Sequence, residues 1–144
     1  YQQTNADNFK KLKDYYSTNS IENELFDFNR NISNIMNESS FCITRAGAST
    51  LAELIFMNIP HLAIPLPSSK DNHQFENANF YEQNGCNWIM NQNEINETNL
   101  TSKLIHIIQD KKEYLKKKNN MKNFNFQNSW NNVNQKIIDT INEN

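Results

Sequence analysis

The chain is 144 residues long, 37% hydrophobic and 21% charged, with a formal net charge of −2, a size and balance suited to one globular domain built around one core. No run approaches the roughly 18 consecutive apolar residues of a membrane span, and no charged leader precedes an apolar stretch, so the text reads as neither membrane-spanning nor exported. Fourteen basic residues against sixteen acidic ones leave no global basic field for nucleic acid; nucleic acid is not an expected partner, and any anionic ligand must be held locally.

The chain opens on Tyr1 rather than Met, in polar text with no element start of its own, and is read as a piece of a longer protein. Residues 7–17 place Phe9, Leu12, Tyr15 and Tyr16 at helical spacing, and Glu24–Phe28 alternates like a short strand. A helical stretch with Ile32, Ile35 and Met36 on one face follows. The apolar run Phe41-Cys42-Ile43-Thr44 suits a buried strand, broken by Gly47 before a helix from Ser49 that turns Leu51, Leu54 and Ile55 inward. His61–Ile64, between Pro60 and Pro65, reads as the next strand, because proline is tolerated at strand ends and not inside. A helix over 73–83 ends at Gly85 in a left-handed stop, and Asn87–Met90 is a further strand. From Thr98 the text is helical: Leu100, Leu104, Ile107 and Ile108 form one stripe, Tyr114 and Leu115 continue a second helix, and Trp130, Val133, Ile137, Ile138 and Ile141 mark a third. Strands alternating with helices predict an α/β fold with a parallel sheet. Without a repeat or a Gly/Ser linker, residues 1–144 read as a single domain.

Cys42 and Cys86 match neither a disulfide framework nor a metal motif, and His61, His73 and His106 lack zinc-ligand spacing. No metal site and no thiol nucleophile are expected. The abundance of Asn, Lys and Ile follows A/T-rich codon usage, which also accounts for the N-x-S/T triplets at Asn31, Asn37, Asn96 and Asn99. Lys111, Lys112 and Lys116–Lys118 form a basic run with two readings, a solvated helix face or contact with anionic lipid.

Two loops carry the chemistry. Gly47 is one of only two glycines and lies between a strand and a helix, at the carboxyl edge where α/β sheets bind ligands. A missing side chain there lets an anion approach the free N–H groups at the helix start; the plain alternative is a turn capped by Ser49 or Thr50. Glu53 shares a face with Ser49 one turn earlier, so its carboxylate suits either the hydroxyls of a ribose or the helix dipole. The second loop, Pro67 to Ala78, gathers His73, Gln74 and Asn77 over a helix start, where they either read sugar hydroxyls or serve as caps and surface groups. Loops from successive strands face one crevice, which couples the two readings.

The string Thr44-Arg45-Ala46-Gly47-Ala48-Ser49-Thr50-Leu51-Ala52-Glu53-Leu54, then Pro60, Pro65, Asp71-x-His73-Gln74-x-x-Asn77-Ala78 and Gly85, resembles the MurG family of bacterial glycosyltransferases. Gln3-Thr4 resembles that family's HQ[ST]G turn, and Phe28 the phenylalanine of its F-I-x-x-M segment. Asn5 departs from the family's turn glycine, and Asn29 and Ile32 from its isoleucine and methionine; Asn tolerates the left-handed backbone a glycine would adopt at position 5.

The resemblance covers nearly the whole chain and implies the carboxy-terminal, Rossmann-like half of a glycosyltransferase B-type fold. It implies UDP-N-acetylglucosamine as donor, undecaprenyl-linked lipid I as acceptor through an amino-terminal half, and inverting transfer with neither a metal nor a cofactor. Gly47, Ala48, Ser49 and Thr50 would meet the diphosphate and sugar, Glu53 the ribose, and His73 and Gln74 the N-acetylglucosamine, with Asn77 bracing their loop. Backbone groups at Asn29 would meet the base, and Thr4 joins the binding set. Catalytic residues would lie in the amino-terminal half, leaving this piece to bind donor without turnover. The family's setting implies peptidoglycan synthesis, with roles in cell shape and division, at the cytoplasmic face of the inner membrane with peripheral membrane contact. A non-catalytic nucleotide-sugar-binding subunit and a UDP-sugar epimerase are the alternative readings.

Overall fold

A computed structural model describes residues 1–142 and resolves into two compact units, Tyr1–Glu38 and the chain from Ser39 onward. In the first, β1 (Gln2–Gln3) leads through α1 (Ala6–Thr18) to a parallel β2 (Leu25–Phe26), followed by α2 (Ile32–Glu38). Asn5 caps α1 by accepting from Asn8 N–H at 3.1 Å, with φ −77°. Position 5 is therefore extended, and the left-handed conformation considered for a turn glycine is not adopted. The strand expected over Glu24–Phe28 shrinks to two residues, and Phe28 is left 75% exposed.

The second unit is a three-stranded parallel sheet in the order β3 (Cys42–Thr44), β4 (His61–Ala63), β5 (Trp88–Ile89). Its register pairs Ile43 with Leu62 and Leu62 with Trp88. The crossovers are α3 (Ala48–Phe56) and α4 (His73–Gln83), and α5 (Glu97–Gln109), α6 (Lys111–Gln127) and α7 (Trp130–Asn142) follow. Central β4 is buried on both faces: Ala63 packs with Ala46, Leu51 and Ala78, while Leu62 packs with Trp88, Met90 and Ile107. This α/β architecture of parallel strands with flanking helices agrees with the sequence reading, as does the inward stripe of α3, where Leu51 and Leu54 are 0% exposed.

Three expectations are corrected. β3 is an edge strand rather than a buried one, and its Ile43 is 47% exposed. On α5 the buried stripe is narrower than predicted: Ile107 is inside, but Ile108 is 71% exposed. The stripe on α7 forms a helix face as its spacing requires, yet Trp130, Ile137, Ile138 and Ile141 remain exposed. Periodicity fixes which side chains share a face and says nothing of what covers it. Gly85 does take the left-handed conformation, φ 68°, and a Cβ there would collide with the Asn120 amide, which donates to Gly85 O at 3.1 Å.

Candidate functional site

The carboxyl ends of β3 and β4 lie side by side; β3 leads through Arg45–Gly47 into α3, and β4 through the longer loop over residues 64–72 into α4. α3 is preceded by Gly47 at φ −67°, ψ 135°, with no side-chain cap. Its first intrahelical bond is Leu51 N–H to Gly47 O at 3.0 Å, so the N–H groups of Ala48, Ser49 and Thr50 sit in the unpaired first turn with a partial positive charge. Ser49 and Thr50 lie inside the helix and do not cap it, so the cap expected from either hydroxyl is not formed. Glycine is also not required by the protein itself: its φ is ordinary, and an added Cβ would meet only Thr50 Oγ1, at 3.8 Å. What the missing side chain leaves open is the outward approach to those N–H groups. Glu53, one turn further along, is exposed, on the same face as Ser49.

The second loop is built by two consecutive left-handed residues, Asp71 (φ 51°) and Asn72 (φ 55°), which reverse the chain into α4 without a side-chain cap. His73 Nδ1 donates to Lys70 O at 2.7 Å, which leaves Nε2 of an exposed ring as the free nitrogen. Gln74 Oε1 accepts from Leu66 N–H at 2.9 Å and its own N–H meets Ser69 Oγ at 3.4 Å; the side-chain amide N–H groups are what it can still offer. Asn77 reaches further than its own loop. Its Nδ2 donates to Ala46 O at 3.1 Å, tying α4 to the turn that opens α3. The structure thus brings Gly47–Thr50, Gln74 and Asn77 together along one sheet edge.

Thr4 and Asn29 belong to the first unit, each just past the carboxyl end of its strand. Thr4 N–H extends the pairing to Phe26 O at 2.8 Å, and Asn29 Oδ1 accepts from Asn31 N–H at 2.8 Å, which leaves the side-chain N–H groups of Asn29 and its backbone to offer. A residue not singled out from sequence is Arg45. Its Nη1 donates to Gln92 Oε1 at 2.8 Å and to Ile64 O at 3.3 Å, linking the ends of β3 and β4 to the segment after β5. No local spacing signals a contact 47 residues away.

The two thiols are not activated. Burial pushes the Cys86 thiol up to about 11 and raises that of Cys42, so neither is a thiolate at neutral pH. Ligand atoms of His106, Asp110 and Glu113 do lie within 4.8 Å of one another, a grouping the sequence reading missed because it spans the α5–α6 junction. Both carboxylates are already engaged: Asp110 caps α6 at Glu113 N–H, 2.8 Å, and Glu113 accepts from Trp88 Nε1 at 2.9 Å.

Residues 1–133 match the Glycosyltransferase family 28 C-terminal domain. The chain is 60% identical, over all of its 144 residues, to the UDP-N-acetylglucosamine--N-acetylmuramyl-(pentapeptide) pyrophosphoryl-undecaprenol N-acetylglucosamine transferase of Pelagibacter ubique (strain HTCC1062), and covers 40% of that protein. Against the transferase of the same name from Rickettsia bellii (strain RML369-C) it is 40% identical over 111 residues, 77% of this chain and 31% of the relative. The chain therefore spans well under half the length of these relatives. In fold it superposes on the crystal structure of Acinetobacter baumannii MurG with a TM-score of 0.74 at 20% identity, over 99% of this chain and 42% of that one.

Proposed function

The chain belongs to the glycosyltransferase family 28 C-terminal domain family, and from that premise we propose that it is the donor-binding part of an enzyme that transfers N-acetylglucosamine from UDP to lipid I. The observation that carries this reading is the open start of α3: unpaired N–H groups behind a glycine whose Cβ position is empty, joined to the second loop through Asn77 and Ala46. The diphosphate sits on these N–H groups, Glu53 accepts from the ribose hydroxyls, and His73 and Gln74 face the sugar. By the family resemblance, backbone groups at Asn29 would meet the base, and Thr4 joins the binding set.

In the reaction, the acceptor hydroxyl oxygen bonds to the anomeric carbon as the bond from that carbon to the diphosphate oxygen breaks. Configuration inverts, the hydroxyl proton passes to a base outside this chain, and UDP departs. Negative charge grows on the diphosphate as it leaves, and the preorganised N–H groups of Ala48–Thr50 stabilise it without reorganising. The product places the enzyme in peptidoglycan synthesis, with consequences for cell shape and division, at the cytoplasmic face of the inner membrane. Among the described residues no helix is long and apolar enough to cross a membrane; contact with the bilayer is proposed as peripheral. Calorimetry with UDP-N-acetylglucosamine, UDP-glucose and UDP tests the reading: the first binds tightest, and equal affinity for all three removes the sugar assignment.

A further inference from the structure

Arg45 follows β3 directly, and its guanidinium reaches across the carboxyl edge of the sheet. Ile64 N–H bonds to Thr44 O at 2.8 Å, just past the β3–β4 register, and Ile64 O accepts from Arg45 Nη1 at 3.3 Å. The same nitrogen donates to Gln92 Oε1 at 2.8 Å; Nη1 carries two N–H groups, enough for both acceptors. Gln92 itself stands on a short helical turn, Gln92–Glu94, closed by a capping box in which Asn91 N–H donates to Glu94 Oε2 at 3.2 Å. A planar group between two backbone-anchored acceptors has a defined direction.

From Ile64 the path to the second loop is short. Pro65 comes next, buried and with φ locked by its ring, so the placement of Ile64 passes to Leu66 with little slack. Leu66 N–H donates to Gln74 Oε1 at 2.9 Å, and this bond sets where the amide N–H groups of Gln74 point. Asn77 then returns from α4 to Ala46 O at 3.1 Å, the neighbour of Arg45 in the chain. The three links form a closed circuit: Arg45 to Ile64, Leu66 to Gln74, Asn77 to Ala46. We infer that Arg45, held by Gln92, is a positioning residue for sugar selectivity. It fixes Leu66, and through Leu66 the direction in which Gln74 offers its donors, without itself meeting the ligand. Exposed as it is, the link adds little to stability; its effect is on geometry. The inference rests on the sugar contact proposed above for Gln74 and names the residue that orients it.

The test reads the ratio of UDP-N-acetylglucosamine affinity to UDP affinity by calorimetry. Gln74→Ala should lower the ratio by about two- to tenfold, the worth of one hydrogen bond. Arg45→Lys keeps the charge and loses the planar fork, and should lower the ratio at least about twofold. Gln92→Ala should act in the same direction, whereas Gln92→Glu, which keeps an oxygen for Arg45, should retain the ratio. UDP affinity and melting temperature should stay unchanged in all three variants at positions 45 and 92. In a Gln74→Ala background, Arg45→Lys should lower the ratio no further. In the ligand-free chain, the side-chain amide signals of Gln74 should move in Arg45→Lys. An unmoved Gln74 amide, a ratio unchanged by Arg45→Lys, a further fall in the Gln74→Ala background, or equal losses for both ligands, which would put Arg45 on the diphosphate, overturns the inference alone. A ratio unchanged by Gln74→Ala removes the sugar reading and the inference with it.

Discussion

α1, α5 and α6 each begin on a side chain that accepts the backbone N–H three residues on: Asn5 for Asn8 at 3.1 Å, Asn96 for Asn99 at 2.9 Å, Asp110 for Glu113 at 2.8 Å. α3 and α4 begin without such a cap, although Asn72 and the hydroxyls of Ser49 and Thr50 are at hand. Composition does not explain the difference, since this chain supplies Asn almost everywhere. A cap stabilises a helix by occupying its free N–H groups, whereas a site for an anion requires them vacant. α3 and α4 follow the carboxyl ends of β3 and β4, so in the proposed donor site the stability that a cap would add at these two starts is exchanged for a place to bind.

The sharpest break of this contrast is Gly47→Val. Its backbone angles suit valine and the Cβ meets only Thr50 Oγ1 at 3.8 Å, so thermal stability should barely change. A branched side chain blocks the approach to the N–H groups, and UDP affinity should fall by roughly 3 kcal/mol, the loss of at least one charge-assisted hydrogen bond; calorimetry and melting read the two effects apart. Glu53→Ala should come next, weakening UDP binding by roughly 1.5–3 kcal/mol with the fold intact, and unchanged affinity would remove Glu53 from the ribose. Asn96→Ala addresses the capped class. It should cost about 1 kcal/mol of stability in denaturant titrations and leave UDP affinity where it was.

Gln74→Glu tests the second uncapped start more finely. The variant keeps a side-chain oxygen for Leu66 N–H, loses the amide donors and adds a charge that weakens UDP as well, so UDP-N-acetylglucosamine should weaken by roughly 0.5–1.5 kcal/mol more than UDP does; equal losses would mean that Gln74 makes no bond to the sugar. The smallest effect lies at the start of β4, the end of the strand away from both loops. His61 is buried with Nδ1 donating to Ile59 O at 2.9 Å, and desolvation holds its pKa below the ordinary 6.5. The unfolded chain therefore binds more protons below pH 6.5. Stability from this residue is fully present above that pH and declines as pH falls through it, by at most about 1.4 kcal/mol per pH unit for one proton. His61→Leu should flatten this slope in pH-dependent melts.

Much of this was legible in the sequence, and the residues show why. α3 and α4 are punctuated by Gly47, Pro60, Pro65 and Gly85, and the Leu51, Leu54, Ile55 stripe has one face to bury, so local rules and packing agree. Asp71 and Asn72 were not legible as left-handed residues, because neither is glycine and the reversal is imposed by closing the loop onto α4. Exposed Ile108 and the α7 stripe mark the limit of periodicity, which orders a face and does not supply its partner. The candidate residues were named by motif, but their links were not. The bonds from Asn77 to Ala46 and from Arg45 to Gln92 join segments 31 and 47 residues apart, and only the assembled sheet edge brings those ends together.

The most direct test of the central claim is a titration of the isotopically labelled chain with UDP, read at individual backbone amides by NMR. The amides of Ala48, Ser49 and Thr50 should shift saturably as the diphosphate takes up their N–H groups, while the capped amides of Asn99 and Glu113 stay in place. Saturable binding that leaves Ala48–Thr50 unmoved, or that moves the capped amides equally, would contradict the account of the uncapped helix start as the diphosphate site.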